Sequence, residues 1–167
     1  GASAFAGISA LTIVIPSTVQ AIDAKAFDTD NYPKYVVLPK TPATGMTIAA
    51  DAFKSKVKFY TEATAPVDGW TNIKSNEITI PTGVSKAYTD KGFTKAYVLG
   101  DENSIYSEGG VWYQVYSATN TQAAAINPVD MGSKDLTIAT KIIKDNFIVD
   151  KIAEKAFSNS ALTSIKL

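Results

Sequence analysis

The chain has 167 residues, of which 46% are hydrophobic and 19% charged, and its 16 lysines balance 16 acidic residues. This composition is typical of a folded protein and not of a disordered one. Histidine, cysteine and arginine do not occur. Because histidine and cysteine supply most metal ligands, general bases and thiolate nucleophiles, zinc, haem, iron-sulfur and Ser-His-Asp chemistry are excluded. The sequence therefore predicts no metal and no cofactor.

The composition also argues against nucleic-acid binding and against a membrane span in this chain. Arginine is the preferred residue for bidentate contacts to phosphate and guanine, and the lysines form no cluster, so we expect no nucleic-acid binding. No run of about 18 apolar residues is present, so no membrane span is predicted. The apolar start GASAFAGISALTIVIP lacks a basic flank and closes at Pro16, which favours a strand over a signal-peptide core.

Short strand-like segments recur along the first half of the chain. They are rich in Val, Ile, Thr and Tyr, which favour strands, and three of them end at proline, which cannot donate to a sheet ladder. The segments are LTIVIP at 11–16, YVVLP at 35–39, VKFYT at 57–61 and EITIP at 77–81. An Ala-Phe pair recurs beside them, at Ala4-Phe5, Ala26-Phe27 and Ala52-Phe53.

This recurrence predicts a solenoid. A unit of about 22 to 26 residues is too short to bury its own apolar face, so it is expected to stack on its neighbours. Each coil then adds one strand to a parallel sheet, and the alternation in LTIVIP points Leu11, Ile13 and Ile15 inward. The recurrent phenylalanine fills the back of each coil. A β-sandwich is the alternative, but it explains only the alternation and not the repeated Ala-Phe pair.

The repeat is interrupted and then restarts. Residues 98–110 are polar and end in two glycines, as expected for a linker, and VWYQVYS followed by AAAI predicts an antiparallel β-hairpin. DLTIA at 135–139, Ala156-Phe157 and ALTSIKL at 161–167 return to the repeat. We therefore predict a repeat array at 1–97, a linker and hairpin cap at 98–134, and restarted repeat units at 135–167.

Both ends of the sequence lie inside a repeat unit. This predicts either a fragment of a longer array or end-to-end self-association between chains. A third arrangement, in which the last units return so that 161–167 neighbours 8–15, is left open by the sequence.

LTIVIPSTVQAIDAKAF at 11–27 and KIAEKAFSNSALTSIKL at 151–167 resemble the BspA-like leucine-rich repeat, whose units read approximately IP..V..I...AF..C..L..I. Gly7 or Ser158 stands where that family has cysteine. The resemblance implies a mostly β, α/β repeat solenoid with a parallel β ladder. It also implies a secreted or cell-surface protein of gut or oral anaerobic bacteria that adheres to a host or matrix protein or glycan, without catalysis.

The outward face of the parallel sheet is the predicted ligand-binding surface. Aligning the strands on their closing prolines places two rows of side chains on it: Thr12, Tyr35, Lys58 and Glu77 in one, and Val14, Val37, Tyr60 and Thr79 in the other. Tyr35 and Tyr60 would form an exposed aromatic pair, and tyrosine is enriched at binding surfaces. If other parts of the chain cover this face, the tyrosines belong to the core and the protein is better explained as a structural spacer.

Other candidate sites have simpler explanations. The acidic clusters at 28–31 and 101–103 carry oxygen ligands that suit calcium, but Asp and Asn also stabilise turns. The scattered acids offer no preferred pair for glycoside hydrolysis, and Lys25, Lys86 and Lys155 indicate surface charge. Trp70 and Trp112 are predicted to be structural. We predict no catalytic residue, and we keep an accessory region of a carbohydrate-active protein as a further alternative.

Overall fold

A computed structural model describes residues 2–5, 10–27, 33–144, 146–158 and 160–167. The chain divides into two compact units, Gly1–Val98 and Leu99–Leu167. The described residues are mostly β with almost no helix, and stacked parallel strands form a β-solenoid. The predicted mostly β solenoid is therefore confirmed. No helix within the described ranges has the length and apolar character needed to cross a bilayer.

The first unit contains the stacked strands of the solenoid. Its strands are β1 Thr12–Val14, β2 Ala21–Ile22, β3 Tyr35–Val37, β4 Thr47–Ile48, β5 Lys58–Tyr60, β6 Ile78–Ile80 and β7 Ala96–Val98. β1, β3, β5, β6 and β7 form one parallel sheet in that order, and β2 pairs with β4 in a second. A 3-10 helix at Thr71–Ile73 and the short helix α1 at Ser85–Thr89 lie in the connections.

The apolar ladder inside the solenoid follows from strand register. Val36 stands opposite Phe59, and Phe59 stands opposite Ile78, so equivalent residues of successive coils stack on one another. All three are buried, because alternate side chains of a strand point to the same face. Burying such a side chain contributes about 1.5–3 kcal/mol, so each residue of the ladder stabilises its coil.

The Ala-Phe pair closes the coil at a tight turn. The same turn hydrogen bond appears at Ala26 N–H to Asp23 C=O at 3.2 Å, at Ala52 N–H to Ala49 C=O at 3.1 Å and at Ala156 N–H to Ala153 C=O at 3.1 Å. These alanines are buried, so a larger side chain would not fit there. The rings of Phe5, Phe27 and Phe53 stack in sequence, with centroids 4.9 Å apart at both steps and nearly parallel planes.

The second unit combines a hairpin with the restarted repeat. Its strands are β8 Ile105–Glu108, β9 Val111–Ser117, β10 Gln122–Pro128, β11 Asp135–Thr137, β12 Lys141–Ile142, β13 Phe147–Ile152 and β14 Ser164–Lys166. β9 and β10 form the antiparallel pair expected for the hairpin, in a sheet ordered β12-β13-β10-β9-β8. β13 runs parallel to β10, and β11 runs parallel to β14.

The predicted linker differs from the structure in one respect. Part of 98–110 forms β8, which pairs with β9. The hairpin also shares one apolar core with the restarted repeat, because Val111, Tyr113 and Val115 pack with Leu136 and with other buried residues of this unit. The alternating apolar residues of β9 need an apolar partner, and the repeat that follows supplies it.

Candidate functional site

The two rows predicted on the first sheet are aligned as the sequence indicated. Thr12 stands opposite Tyr35, and Tyr35 opposite Lys58. Val14 stands opposite Val37, Val37 opposite Tyr60, and Tyr60 opposite Thr79. The exposure of these side chains, however, varies widely along each row.

Only part of this face is accessible. Val14 is 66% exposed, whereas Tyr35 is 5% and Thr79 2% exposed. Thr12, Val37, Lys58, Tyr60 and Glu77 are half-buried. Tyr35 and Tyr60 therefore do not form an exposed aromatic pair, and Tyr35 and Thr79 do not belong to an open surface. Burial raises the pKa of Tyr35 well above its usual value, so this phenol is neutral.

Lys58 of β5 forms an ion pair with Glu77, the residue that precedes β6. Lys58 Nζ lies 2.9 Å from Glu77 Oε2, and both side chains are about one-third exposed or less. The carboxylate oxygen is shielded from solvent, and the contact is an ion pair without the directionality of a hydrogen bond. The pair neutralises this part of the row, which leaves little net charge for recognising a ligand.

The acidic clusters do not assemble a metal site in the described part of the chain. Residues 28–31 lie outside the described residues. At 101–103 the chain makes an exposed turn in which Ser104 N–H donates to Asp101 C=O at 3.0 Å and Asn103 has a left-handed φ of 72°. The described ranges contain no group of three or more Asp, Glu, His or Cys side chains that could hold a metal ion.

The remaining candidates, three lysines and two tryptophans, lie in surroundings that indicate no ligand site. Lys86 Nζ forms an ion pair with Asp90 at 2.8 Å across one turn of α1. Lys25 and Lys155 are exposed in turns. Trp70 and Trp112 are buried, as a structural role requires.

A cluster that sequence reasoning did not single out lies on the main sheet of the second unit. Tyr116 belongs to β9, Gln122 to β10, and Asp150 and Lys151 to β13. β10 lies between β9 and β13, so three neighbouring strands bring these side chains together. We call the surface formed by Tyr116, Gln122, Asp150 and Lys151 the Tyr116 surface.

Hydrogen bonds hold the Tyr116 surface in one arrangement. Tyr116 Oη donates to Asp150 Oδ1 at 2.6 Å, and Gln122 Nε2 donates to Asp150 Oδ2 at 2.8 Å. Lys151 Nζ lies 5.5 Å from the centroid of the Tyr116 ring, within the range of a cation–π contact. Tyr116 is nevertheless 40% exposed. An aromatic ring, a carboxylate and an amide are thus presented together to solvent.

Two irregularities in strand pairing create this arrangement. Between β9 and β10, Ser117 pairs with Gln122 and Val115 with Ala123, so the register skips Tyr116. Between β10 and β13, Ala123 pairs with Val149 and Ala124 with Lys151, so the register skips Asp150. A bulge redirects the side chain of the extra residue. The two bulges lie on opposite sides of β10 at the same level, which lets Tyr116 and Asp150 meet.

The positions of the two bulges could not be predicted from the alternation of apolar and polar residues in the sequence. An extra residue in a strand changes neither composition nor the presence of apolar side chains, and VWYQVYS alternates well enough to be assigned as a regular strand. In the structure Ile148 and Ile152 of β13 remain exposed, and large apolar residues at a surface often mark contact areas, but the sequence does not show which isoleucines stay exposed.

The pKa of Tyr116 provides a test of this geometry. The hydrogen bond to Asp150, followed by desolvation and the carboxylate charge, raises the pKa of Tyr116 above its ordinary value. Asp150→Asn removes the negative charge that opposes phenolate formation, so the pKa should fall towards about 10. An NMR titration of the tyrosine ring resonances measures the change. Asp130→Asn removes the same charge elsewhere in this unit and should leave Tyr116 unaffected; an unchanged Tyr116 titration in Asp150→Asn would contradict the contact.

The chain has no match among models of known protein families, among curated proteins or among solved structures. The case for a function therefore rests on the residues and geometry of this chain, above all on the Tyr116 surface.

Proposed function

We propose that this protein is a non-catalytic binding module that recognises a protein or glycan through the Tyr116 surface. The observation that carries the proposal is the pair of bulges facing each other across β10, which hold Tyr116 and Asp150 in contact while the tyrosine ring stays exposed. Bulges of this kind are over-represented beside functional sites. A ring held in place by hydrogen bonds also loses little side-chain entropy when a ligand binds.

The chemistry of the surface suits a ligand with both apolar and hydroxyl or amide groups. The face of Tyr116 offers apolar area, and its hydroxyl tip is already oriented by Asp150. An ionised carboxylate has about four acceptor positions, so Asp150 keeps capacity beyond the bonds from Tyr116 and Gln122. A sugar or a peptide could therefore pack on the ring and donate to the carboxylate.

Binding is favoured over catalysis at this surface. Glycoside hydrolysis uses two carboxyl groups that flank the scissile bond, whereas the Tyr116 surface is built around one. That carboxylate is stabilised by two neutral donors, and the sequence has no histidine to serve as a base near neutral pH.

The resemblance to BspA-like leucine-rich repeats supports a proposal for where the protein is located. Its IP..V..I...AF pattern is found in exported and surface-attached proteins, so we propose a secreted or cell-surface location. A host or matrix protein or a glycan is the corresponding partner.

A structural spacer that presents another domain is the second candidate. The burial of Tyr35 and Thr79 favours it, because these residues of the predicted binding face are instead part of a packed structure. An accessory region of a carbohydrate-active protein is a related alternative, in which the Tyr116 surface would hold a polysaccharide near an active site elsewhere.

Binding to arrays of purified glycans and extracellular-matrix proteins tests the proposal. We expect Tyr116→Ala to weaken binding of any positive ligand at least about tenfold, the loss expected for an aromatic anchor. Tyr60→Ala is the matched control, because it removes a half-buried tyrosine from the first sheet. Undiminished binding by Tyr116→Ala contradicts the proposed site, and the absence of any ligand favours the spacer.

A further inference from the structure

The first coil of the solenoid leaves an apolar pocket open at the edge of the parallel sheet. β1 is the edge strand of that sheet. The pocket has a volume of about 340 Å³, and its lining includes Phe5, Ile13 and Ile15. Val14 and half of the Phe5 side chain are exposed at its border. In the inner strands β3, β5 and β6 the inward residues Val36, Phe59 and Ile78 are buried, whereas Ile13 on the edge strand is only half-buried. The pocket therefore lies where one further strand would stack on β1.

A recurring hydrogen bond defines how such a strand would pair. At each step an inward residue donates its N–H to the C=O of an outward residue on the following strand. The observed pairs are Ile15 to Val37 at 2.9 Å, Leu38 to Tyr60 at 2.9 Å, Thr61 to Thr79 at 3.0 Å and Ile138 to Lys166 at 2.8 Å. The same rule therefore holds in both units.

The rule identifies the acceptor at the edge of β1. The backbone N–H and C=O groups of successive residues in a parallel strand point to opposite sides. Ile15 N–H points towards β3, where it meets Val37, so the backbone N–H and C=O of Val14 point away from β3. A strand added at this edge would present two inward apolar residues. One of them would donate its N–H to Val14 C=O, and the other would cover Ile13.

β14 has the properties that a strand docked at the free edge of β1 requires. It pairs with β11 and is an edge strand of its sheet, with Ile165 opposite Leu136. Because Lys166 accepts the bond from Ile138, the next residue, Leu167, takes the position that Leu38 has beside Ile15. Ile165 is 40% and Leu167 83% exposed. Both apolar residues of the strand thus face solvent where a following coil would cover them.

We propose that β14 of one copy of this chain docks in parallel beside β1 of a second copy. Ile165 and Leu167 then cover Ile13 and Ile15 of the second copy, and Leu167 N–H donates to its Val14 C=O. The occupant is a second copy because this chain carries both the exposed apolar pair and the edge that fits it. The contact goes beyond the ligand-binding role and uses residues outside the Tyr116 surface.

The same register adds an aromatic contact. Phe157 precedes β14 as Phe5 precedes β1, so docking brings Phe157 of one copy towards the exposed ring of Phe5 on the other. This extends the stack that Phe5, Phe27 and Phe53 form within one chain. The contact joins different ends of two copies, so it is heterologous and generates rings or open chains.

Two variants block opposite sides of the proposed contact. Val14→Pro removes the N–H that faces the free edge and puts a ring there, while the bonds of Ile15 to β3 remain. Leu167→Asp places a carboxylate in the apolar seam, at a side chain so exposed that the fold of one copy does not depend on it. Val14→Thr is the matched control, because it keeps both the N–H and the branched shape.

Light scattering over a concentration series gives the readout. We expect the mass of the wild type and of Val14→Thr to rise with concentration, and each blocking variant alone to stay at the mass of one chain. An equimolar mixture of Val14→Pro and Leu167→Asp should reach the mass of two chains and stop, because one supplies an intact β14 and the other an intact β1.

Three results would overturn the proposal: a wild type that stays at one chain, a folded blocking variant that assembles as the wild type does, or a mixture of folded variants that stays at one chain. Far-UV circular dichroism establishes that each variant is folded. If Val14→Pro is unfolded, the mass of Leu167→Asp alone tests the proposal. Loss of assembly in this variant supports the contact, and assembly like that of the wild type excludes it.

Discussion

Replacing Gly69 with alanine is expected to destabilise the first unit by about 3 kcal/mol, the upper part of the range for overpacked sites. A Cβ atom at Gly69 would lie 2.0 Å from Met46 O and 2.7 Å from Thr47 Cα. Both are backbone atoms, so no side chain can rotate away. The chains approach closely here because Gly69 forms a parallel bridge with Thr47 and its C=O accepts the Ile48 N–H at 2.9 Å. Denaturant unfolding followed by the fluorescence of the buried Trp70 measures the change.

Gly83→Ala is the matched control for this effect. Gly83 also lies in the first unit, but nothing lies within 4 Å of the position that its Cβ would take. Its φ of +83° carries a backbone penalty of about 1–2 kcal/mol for an alanine. If Gly69→Ala lowers the free energy of unfolding no more than Gly83→Ala does, the close approach between the chains at Gly69 is not present in solution.

Asn76→Ala is expected to lower the free energy of unfolding by about 3 kcal/mol, because it removes a buried amide that donates to three backbone carbonyls, among them the buried contact to Val57 C=O. Asn76 is buried. Its Nδ2 donates to the carbonyl oxygens of Lys54 at 3.1 Å, Ser55 at 3.2 Å and Val57 at 3.1 Å. One amide thus ties the turn before β5 to the coil that contains β6. Chemical denaturation at neutral pH measures the loss.

Asn72→Ala separates this effect from the loss of an ordinary asparagine. Asn72 Nδ2 donates to Ile48 C=O at 2.8 Å, but the Asn72 side chain is exposed, so water can take its place. We expect a loss of no more than about 1 kcal/mol. Similar losses at the two positions would show that the buried triple contact of Asn76 contributes nothing beyond a single hydrogen bond.

The repeat made the parallel register predictable. Inward positions must be apolar in every coil, so the alternation around Ile13, Val36 and Phe59 specifies which residues stand side by side, and a slip of one residue would expose them all. The contacts of Gly69 and Asn76 were not predictable in the same way. Each occurs once, and a single residue between repeats carries no periodic signal.

The candidate site was harder to predict than the fold. Alternation indicates the face to which Tyr35 points, but it does not indicate how much of that face is covered, and Tyr35 is buried. Conversely, Tyr116 and Asp150 are 34 residues apart and meet only because each occupies a bulge. The positions of these bulges depend on packing between β9, β10 and β13, and the sequence of one strand alone does not specify that packing.

NMR mapping of a bound ligand would decide between the two faces. The backbone amides would be followed while the tightest-binding glycan or matrix protein fragment from the array is added. We predict that the largest shifts fall at Tyr116, Gln122, Asp150 and Lys151, with the first sheet unchanged. Shifts confined to the Val14, Lys58 and Tyr60 region, with none at Tyr116 or Asp150, would contradict the binding role assigned to the Tyr116 surface.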